Sequence, residues 1–201
     1  MISRYVGDAA FARPVPGRRA MMIAVFCLLT LGFQATADGD TAEDLVKMGM
    51  ELYQNRSYED ALAAYDQALL LLSPGDLQAW MGKGKVLSAL GDYNRSLLAY
   101  QNATRIDPDD QDAWFGVGLN RFLLRDLNES LTALERALEI DGNYTRAWEL
   151  KSAVFARMGK NDEALVASKR ARMTSAPSDT EMLSHSWVSE SFILRQMGRD
   201  D

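Results

Sequence analysis

The sequence predicts an all-α solenoid made of stacked helix-turn-helix repeats. The main observation is a constant spacing of 34 residues between Trp80, Trp114 and Trp148. A small residue lies four positions after each tryptophan, and an alanine recurs with the same step. These positions are Gly84, Gly118 and Ser152 for the small residues, and Ala103, Ala137 and Ala171 for the alanines. A constant period of this length is typical of proteins in which each repeat is one pair of helices.

The segment 79–108 resembles the tetratricopeptide repeat family. It carries a tryptophan and a small residue in its first half, Leu-Gly-Asp-Tyr at 90–93 and Ile-Asp-Pro at 106–108. The resemblance covers about residues 41–201 and implies a right-handed superhelical solenoid. In that family the first helices of the repeats line a concave groove, and the second helices face outward. The predicted repeats are about 42–76, 77–110, 111–144 and 145–178.

Residues 1–37 are predicted to be a secretory signal peptide. Four arginines precede residues 20–33, a run without charge, and Ala-Thr-Ala follows at 35–37. The uncharged run is shorter than the roughly 20 residues that a membrane-spanning helix needs, which favours cleavage after Ala37. An uncleaved membrane anchor is the alternative, and translation from Met21 or Met22 would remove the arginines.

The predicted mature chain is acidic and has no cysteine. Cleavage removes four arginines, one aspartate and the only cysteine, Cys27, and it changes the net charge from −6 to −9. A chain with this charge repels nucleic-acid phosphates and anionic lipids, so we expect neither as a partner. Without a thiol, the mature chain offers no disulfide, no thiolate metal site and no cysteine nucleophile.

The first predicted repeat departs from the others in two ways. Leu45 takes the position of the tryptophan, and the step from Gly49 to Gly84 is one residue longer than the later steps. We place the extra residue within 69–74, where it lengthens the connection to the second repeat.

Each predicted repeat contains a tight turn between its two helices. Gly91 and Gly159 are expected to end first helices in the left-handed backbone conformation. Ser57, Asp92 and Asp126 are expected to cap second helices, because their side-chain oxygens accept hydrogen bonds from free backbone N–H groups. The small residue after each tryptophan position is expected to let the paired helices approach closely.

Residues 179–201 are predicted to form a partial fifth repeat that acts as a terminal capping helix. Trp187, Ser191, Met197 and Gly198 reproduce the first half of a repeat, and the sequence ends before a second helix. The polar side chains of this segment suit a helix that shields the last interface from water.

Five asparagines begin Asn-x-Ser/Thr triplets, which are acceptor signals for N-linked glycans in exported proteins. They are Asn55, Asn94, Asn102, Asn128 and Asn143. None lies in a predicted first helix, so glycans there would coat the convex side and the edges and leave the groove bare. The alternative is structural, because Ser96 and Ser130 take a position that other repeats fill with alanine. Duplication of one repeat could also have copied the triplet.

The first helices are expected to present rows of side chains to the groove. The candidate ligand-binding residues are Val46, Met50, Tyr53, Met81, Lys85, Phe115, Leu119 and Phe122. Phe115, Leu119 and Phe122 share one helical face, which makes the third repeat the most apolar part of the groove. Large apolar side chains on a concave surface indicate a site for a peptide or a helix. Packing against neighbouring first helices, or a dimer contact, is the alternative.

These features favour a secreted or cell-surface scaffold that binds a protein or peptide segment in the groove. The chain has one histidine, His185, and no Ser-His-Asp set, phosphate-binding glycine loop or clustered metal ligands. We therefore expect neither catalysis nor a cofactor. Some members of the family grip a terminal carboxylate with lysine and asparagine, but those positions here hold Val46 and Met50. The alternative is a structural subunit of an envelope assembly or homo-oligomer, tethered to a membrane through an uncleaved N-terminal segment.

Overall fold

The computed structural model describes residues 39–71, 75–175, 191 and 193–195. The predicted signal peptide and most of the predicted partial fifth repeat lie outside the described residues. The long helices in these ranges are α1 (Gly39–Gln54), α2 (Tyr58–Leu71), α3 (Leu77–Ala89), α4 (Tyr93–Ile106), α5 (Gln111–Leu123), α6 (Leu127–Ile140), α7 (Thr145–Arg157) and α8 (Asn161–Thr174). Residues 107–110 separate α4 from α5. The extra residue predicted within 69–74 stays a prediction, because residues 72–74 lie outside the described residues.

The helices form four pairs that stack in chain order. Helix α1 packs on α2, α3 on α4, α5 on α6 and α7 on α8. The second helix of each of the first three pairs also packs on the first helix of the next pair. No strand occurs in the described ranges. The predicted fold class, an all-α solenoid of helix-turn-helix repeats, is confirmed.

The contacts between successive pairs define the two sides of the stack. Helix α1 contacts α3, α3 contacts α5 and α5 contacts α7, whereas no second helix contacts the next second helix among those described. Because the first helices lie closer together than the second helices, the stack curves with the first helices on its concave side. The predicted groove is therefore lined by α1, α3, α5 and α7.

The turn inside each pair places one residue in the left-handed backbone conformation. Gly91 and Gly159 have φ angles of 80° and 75°, as predicted. Arg56 and Arg125 take the equivalent positions with φ angles of 59° and 68°, which the sequence pattern did not indicate. In the second pair, the N–H of Asp92 donates to the carbonyl of Leu87 at 2.9 Å, and the N–H of Gly91 donates to that of Ser88 at 3.1 Å. These two bonds close the first helix with a Schellman motif.

Aspartates cap three of the described helices. Asp76, Asp92 and Asp110 each accept a hydrogen bond from the backbone N–H three residues later, at 2.6, 3.1 and 2.6 Å. The predicted cap at Asp92 is confirmed. The predicted cap at Asp126 is wrong, because its carboxylate makes no cap hydrogen bond and instead binds the Arg121 guanidinium at 2.8 Å.

A large side chain from the second helix fills the space that glycines leave open. The ring of Tyr65 lies against Gly49 of its own pair and Gly82 of the next pair. A Cβ on Gly82 would lie 2.2 Å from the ring, so this close-packed interface has no room for it. The corresponding residues at the next interface are Tyr100, Gly84 and Gly116, with 2.4 Å between the ring and a Cβ on Gly116.

Leucines replace this arrangement at the third interface. Leu134 takes the position of the two tyrosines and lies against Gly118, where a Cβ would lie 2.9 Å from it. Leu150 takes the position of the second glycine and joins Leu134 in one buried cluster. A smaller side chain on the second helix is thus matched by a larger one on the next first helix. The close approach predicted at the small residues after the tryptophan positions is confirmed, but the second glycine of each interface was not identified from the sequence.

The tryptophans lie at the boundaries between pairs. Trp114 packs against the cluster of the second and third pairs and also against the cluster of the third and fourth pairs. Its indole N–H donates to the carbonyl of Pro108 at 2.9 Å, and Trp148 donates in the same way to Gly142 at 2.9 Å. Each of these indoles therefore fastens the start of its helix to the preceding connection.

A buried serine hydroxyl links the two helices of a pair. Ser96 donates to the carbonyl of Gly84 at 2.8 Å, and Ser130 donates to that of Gly118 at 2.7 Å. The last pair reverses the direction, because Ser152 on the first helix donates to the carbonyl of Ala164 on the second at 2.8 Å. All three serines are buried. The serines of the triplets that begin at residues 94 and 128 therefore have a structural role.

After Ser175, the described residues 191 and 193–195 are helical and pack near the start of α8. Ile193 is buried in a cluster with Ala164 and Leu165, and Phe155 of α7 packs against this cluster. The capping helix over 179–201 is described only for this short part and otherwise stays a prediction.

Candidate binding groove

The predicted groove residues divide into accessible and buried side chains. Met50 is 47% exposed and Lys85 is also exposed. The half-buried members are Val46, Tyr53, Leu119 and Phe122. Met81 and Phe115 are only 5% and 9% exposed. A ligand could therefore reach six of the eight predicted residues.

Met81 and Phe115 are buried because neighbouring repeats cover them. Met81 lies in the core cluster that contains Val117 of α5. Phe115 meets the edge of the Tyr144 ring, with 5.6 Å between the ring centroids. The guanidinium carbon of Arg146 lies 4.5 Å from the centroid of the same phenylalanine. For these two side chains, packing against neighbours describes their environment better than ligand binding.

An open cleft lies between α1 and α3 on the concave side. Its volume is about 270 Å³, and its lining includes Val46, Met50, Tyr53, Gly82 and Lys85. The missing side chain at residue 82 keeps the cleft open above the ring of Tyr65. Burial, with a smaller effect of Tyr53, raises the pKa of the Tyr65 phenol. The cleft thus offers apolar surface, the hydroxyl groups of two tyrosines and one ammonium group.

A second part of the groove lies between α5 and α7. The Tyr144 hydroxyl donates to the Asp112 carboxylate, and the Arg146 guanidinium lies 3.8 Å from the same carboxylate. Burial raises the pKa of the Tyr144 phenol, and the hydrogen bond to Asp112 raises it further. The Arg157 guanidinium carbon lies 4.3 Å from the centroid of the Phe122 ring. Each phenylalanine of α5 therefore has one arginine of α7 over it.

A buried asparagine joins α3 to α5, and the sequence analysis did not identify it. Asn120 is fully buried, accepts a hydrogen bond from Ser88 at 2.9 Å and donates to the carbonyl of Gly116 at 2.8 Å. The Ser88 hydroxyl also lies 3.1 Å from that of Ser96. The sequence contains one indication of such a role. Asn120 begins no Asn-x-Ser/Thr triplet, and it lies on a helix rich in apolar residues. Buried amides need such partners, so this network fixes the register of two first helices.

The described residues contain no group of His, Cys, Asp and Glu side chains arranged to hold a metal ion. None of the helices described here combines the length and the apolar character that crossing a bilayer requires.

Sequence comparison agrees with this architecture. A profile of the tetratricopeptide repeat family matches residues 46–110 and again residues 83–145. The matched ranges contain the Trp80 and Trp114 units, with the turns and glycines described above. The chain belongs to the tetratricopeptide repeat family.

Solved structures of other tetratricopeptide proteins share the fold. The crystal structure of MamA has a TM-score of 0.70 at 19% identity, with 82% of this chain and 86% of that chain covered. YrrB, described as having an unusual peptide-binding site, has a TM-score of 0.64 at 21% identity, with 90% and 86% covered. The first repeat domain of Spaghetti, bound to an HSP90 peptide, has a TM-score of 0.58 at 19% identity, with 61% and 96% covered.

A curated plant relative matches a shorter stretch. An inactive TPR repeat-containing thioredoxin of Arabidopsis thaliana is 34% identical over 70 residues, which is 35% of this chain. The match spans only 10% of the length of that relative.

This tetratricopeptide protein lacks the opening residues of the carboxylate clamp found in some family members. Val46 and Met50 hold those positions, and both line the cleft between α1 and α3. The first half of the groove therefore presents apolar surface where the clamp would present charge and amide groups.

Proposed function

We propose that this protein is a non-catalytic scaffold that binds an extended segment of a partner protein along the concave side of its repeats. The observation that carries the proposal is the cleft of about 270 Å³ between α1 and α3. Met50 offers it a flexible, polarizable and accessible side chain, which suits binding of varied apolar groups. Lys85 stands beside it without an ion pair in the described part of the chain.

A peptide is the occupant that suits this cleft best. The concave side continues from the cleft towards α5, and the lining of the cleft combines apolar side chains with hydrogen-bonding groups. An extended peptide needs both, because its backbone polar groups must be satisfied while its side chains enter apolar pockets. Two structural relatives with peptide-binding descriptions support this proposal through their shared fold.

The scaffold is further proposed to act outside the cytosol, at the cell surface or as a secreted protein. The apolar run at 20–33 followed by Ala-Thr-Ala at 35–37 supports export. The asparagines of the triplets are accessible to a glycan at residues 55, 94, 128 and 143, and partly accessible at residue 102. N-terminal sequencing of protein from the native host, with mass measurement before and after glycan removal, tests export and glycosylation together. An N-terminus at residue 1 and a mass without any glycan would contradict this part of the proposal.

The binding proposal is tested by selecting peptides from a random library displayed on phage. Peptides selected on the wild-type protein are expected to lose at least tenfold in affinity for Met50→Glu, because the new charge enters the apolar part of the cleft. The matched control is Leu98→Glu, which places the same charge on an exposed leucine of α4, outside the groove. Selection of no peptides, or equal loss in both variants, would overturn the proposal.

A structural subunit of a larger assembly is the second candidate function, and the first repeat supports it. Met48 of α1 occupies a position whose equivalents in α3 and α7 contact the preceding second helix. Lys83 of α3 and Lys151 of α7, at the position of Met48, reach Asp66 and Glu135 there, at 2.6 and 3.0 Å. No second helix precedes α1 in the described part of the chain, and Met48 is 38% exposed. The exposed face of α1 at Met48 is therefore the surface proposed to bind a helix from a second copy of this chain.

The assembly candidate predicts a concentration-dependent oligomer that Met48→Glu dissociates. Analytical ultracentrifugation of both proteins measures this, with Met173→Glu at the exposed side chain of α8 as the matched control. A wild-type protein that sediments as a monomer at all concentrations would exclude the assembly candidate.

A further inference from the structure

The part of the groove between α5 and α7 carries two arginine–phenylalanine pairs in a defined spacing. Arg146 lies over Phe115 at 4.5 Å, and Arg157 lies over Phe122 at 4.3 Å. The two phenylalanines are seven positions apart in α5, which corresponds to about 10 Å at a rise of about 1.5 Å per residue. Because each guanidinium lies over its own ring, the two positive charges have a similar separation.

The aromatic rings hold these guanidinium groups through contacts with the ring faces, and one N–H of Arg146 also donates to the Tyr144 hydroxyl at 3.5 Å. A cation over a ring interacts with the ring face, so its N–H groups stay available for an acceptor. Arg157 has no ion pair among the described residues, and the Arg146 side chain is 57% exposed despite its distant pair with Asp112. An arginine that is already oriented loses less side-chain freedom when it binds a carboxylate.

The acidic groups nearby offset part of this positive charge, because the Asp112 carboxylate lies 3.8 Å from the Arg146 guanidinium. Asp112 already accepts the Tyr144 hydroxyl, and half-buried Glu149 interacts with a neighbouring group. Lys85 adds a third exposed positive charge on the same side of the stack. These three cations give the concave side groups that can attract an acidic ligand, although the chain as a whole has a net charge of −6.

We propose that Arg146 and Arg157 together bind an extended peptide segment with two acidic side chains three residues apart. This inference rests on the proposed scaffold function and specifies its ligand. In a polyproline II conformation, residues i and i+3 point to the same side and lie about 9 Å apart, which matches the spacing of the two guanidinium groups. Each guanidinium can bind one carboxylate with two parallel hydrogen bonds. Leu119, half-buried between the two phenylalanines, supplies apolar surface between them.

The ligand defined in this way does not need a free C-terminus. Both of its charges come from side chains, so an internal segment of a partner protein satisfies the site. This distinguishes the arginine pair from a clamp for a terminal carboxylate, whose opening positions this chain fills with Val46 and Met50.

The test uses fluorescein-labelled, C-terminally amidated twelve-residue peptides rich in proline and alanine. One peptide carries two glutamates three residues apart, a second carries glutamines instead, and a third carries the glutamates two residues apart. Fluorescence anisotropy with the wild-type protein is expected to give the first peptide about tenfold or higher affinity over the other two. Raising the salt concentration is expected to weaken the binding of the first peptide most.

Variants of single arginines test the contacts. Arg157→Gln is expected to weaken binding of the first peptide about tenfold, and Arg157→Lys is expected to recover only part of the loss, because lysine lacks the planar fork. The matched control is Arg170→Gln, which removes an exposed arginine of α8. Circular dichroism of each variant verifies that it folds.

Equal affinity for the glutamate and glutamine peptides, or equal weakening by Arg157→Gln and Arg170→Gln, would overturn the inference. Library peptides that depend on Met50 but lack paired acidic residues would overturn it as well, while leaving the scaffold function intact. Failure of both the library and the acidic peptide to bind would overturn the two proposals together.

Discussion

Tyr100 occupies a space that exists because Gly84 and Gly116 have no side chains. We predict that Gly116→Ala lowers the free energy of unfolding by about 1–3 kcal/mol, the usual cost of overpacking a core. The new Cβ would lie 2.4 Å from the buried ring, which cannot move away without displacing its own helix. Urea denaturation measures the change.

A second glycine provides the control for this variant, and a double substitution provides a rescue. Gly75→Ala meets nothing within 4 Å and is expected to leave stability within about 0.5 kcal/mol of the wild type. Combining Gly116→Leu with Tyr100→Leu copies the third interface, where Leu134 and Leu150 meet, and should cost less than the sum of the single changes. Strict additivity would show that size matching does not govern this interface.

Arg125 is held in a backbone conformation that disfavours every residue with a Cβ. Its φ angle is 68°, and glycine takes the equivalent position in two other pairs. We predict that Arg125→Gly raises the free energy of unfolding by about 0.5–1 kcal/mol, because the relief of strain exceeds the extra freedom of glycine in the unfolded chain. Thermal and urea unfolding measure it, with Gly159→Ala expected to shift stability by a similar amount in the opposite direction. A decrease in stability for Arg125→Gly would contradict this account.

At the scale of the helix pair, the serine of a glycosylation triplet also holds two helices together. Ser130 is fully buried and donates to the carbonyl of Gly118, whereas Asn128 is exposed. In protein made without glycans, we predict that Ser130→Ala lowers the free energy of unfolding by about 1 kcal/mol, the typical value of one buried hydrogen bond. Asn128→Gln, which also destroys the triplet, is expected to leave stability unchanged. Equal effects of the two variants on urea unfolding would contradict the structural role of the hydroxyl.

The pairing of helices could be predicted from the sequence because its determinants repeat. Trp80, Trp114 and Trp148 set the period, and Gly91 and Gly159 mark turns whose backbone requires glycine or tolerates strain. Positions that repeat every 34 residues indicate which residues share a structural role, even without coordinates. The fold class and the close approach of paired helices follow from this periodicity.

Features that depend on what one repeat presents to the next could not be predicted in the same way. Gly116 was overlooked because its role depends on Tyr100, which lies in a different repeat. Phe115 was assigned to the groove, but Tyr144 and Arg146 from the following repeat cover it. Asn120 has no equivalent in the other repeats, since its partner Ser88 lies in one repeat only.

At the scale of the whole molecule, buried tyrosines make stability depend on alkaline pH. Burial raises the pKa of Tyr65, Tyr100 and Tyr144 in the folded protein, whereas tyrosine in an unfolded chain has a pKa of about 10. Above that pH the unfolded chain releases protons that the folded protein keeps, so proton release favours unfolding. We predict constant stabilisation by these groups below about pH 10 and a progressive loss as the pH rises above it.

The urea midpoint measured between about pH 8 and 11 tests this dependence. Lysines also titrate in this range, so the informative comparison is with Tyr100→Phe, which keeps the ring and removes the ionisable group. A smaller decline for Tyr100→Phe is expected. The same decline in both proteins would contradict the contribution of this phenol.

The distribution of contacts between first and second helices has a mechanical consequence. Successive first helices touch and successive second helices do not, whereas the described second helices also pack on the first helix of the next pair. Because the described second helices make no contact with one another, a small rotation of one pair against the next changes their spacing without breaking a contact between them. The curvature of the described stack can adjust in this way when a large ligand enters the groove.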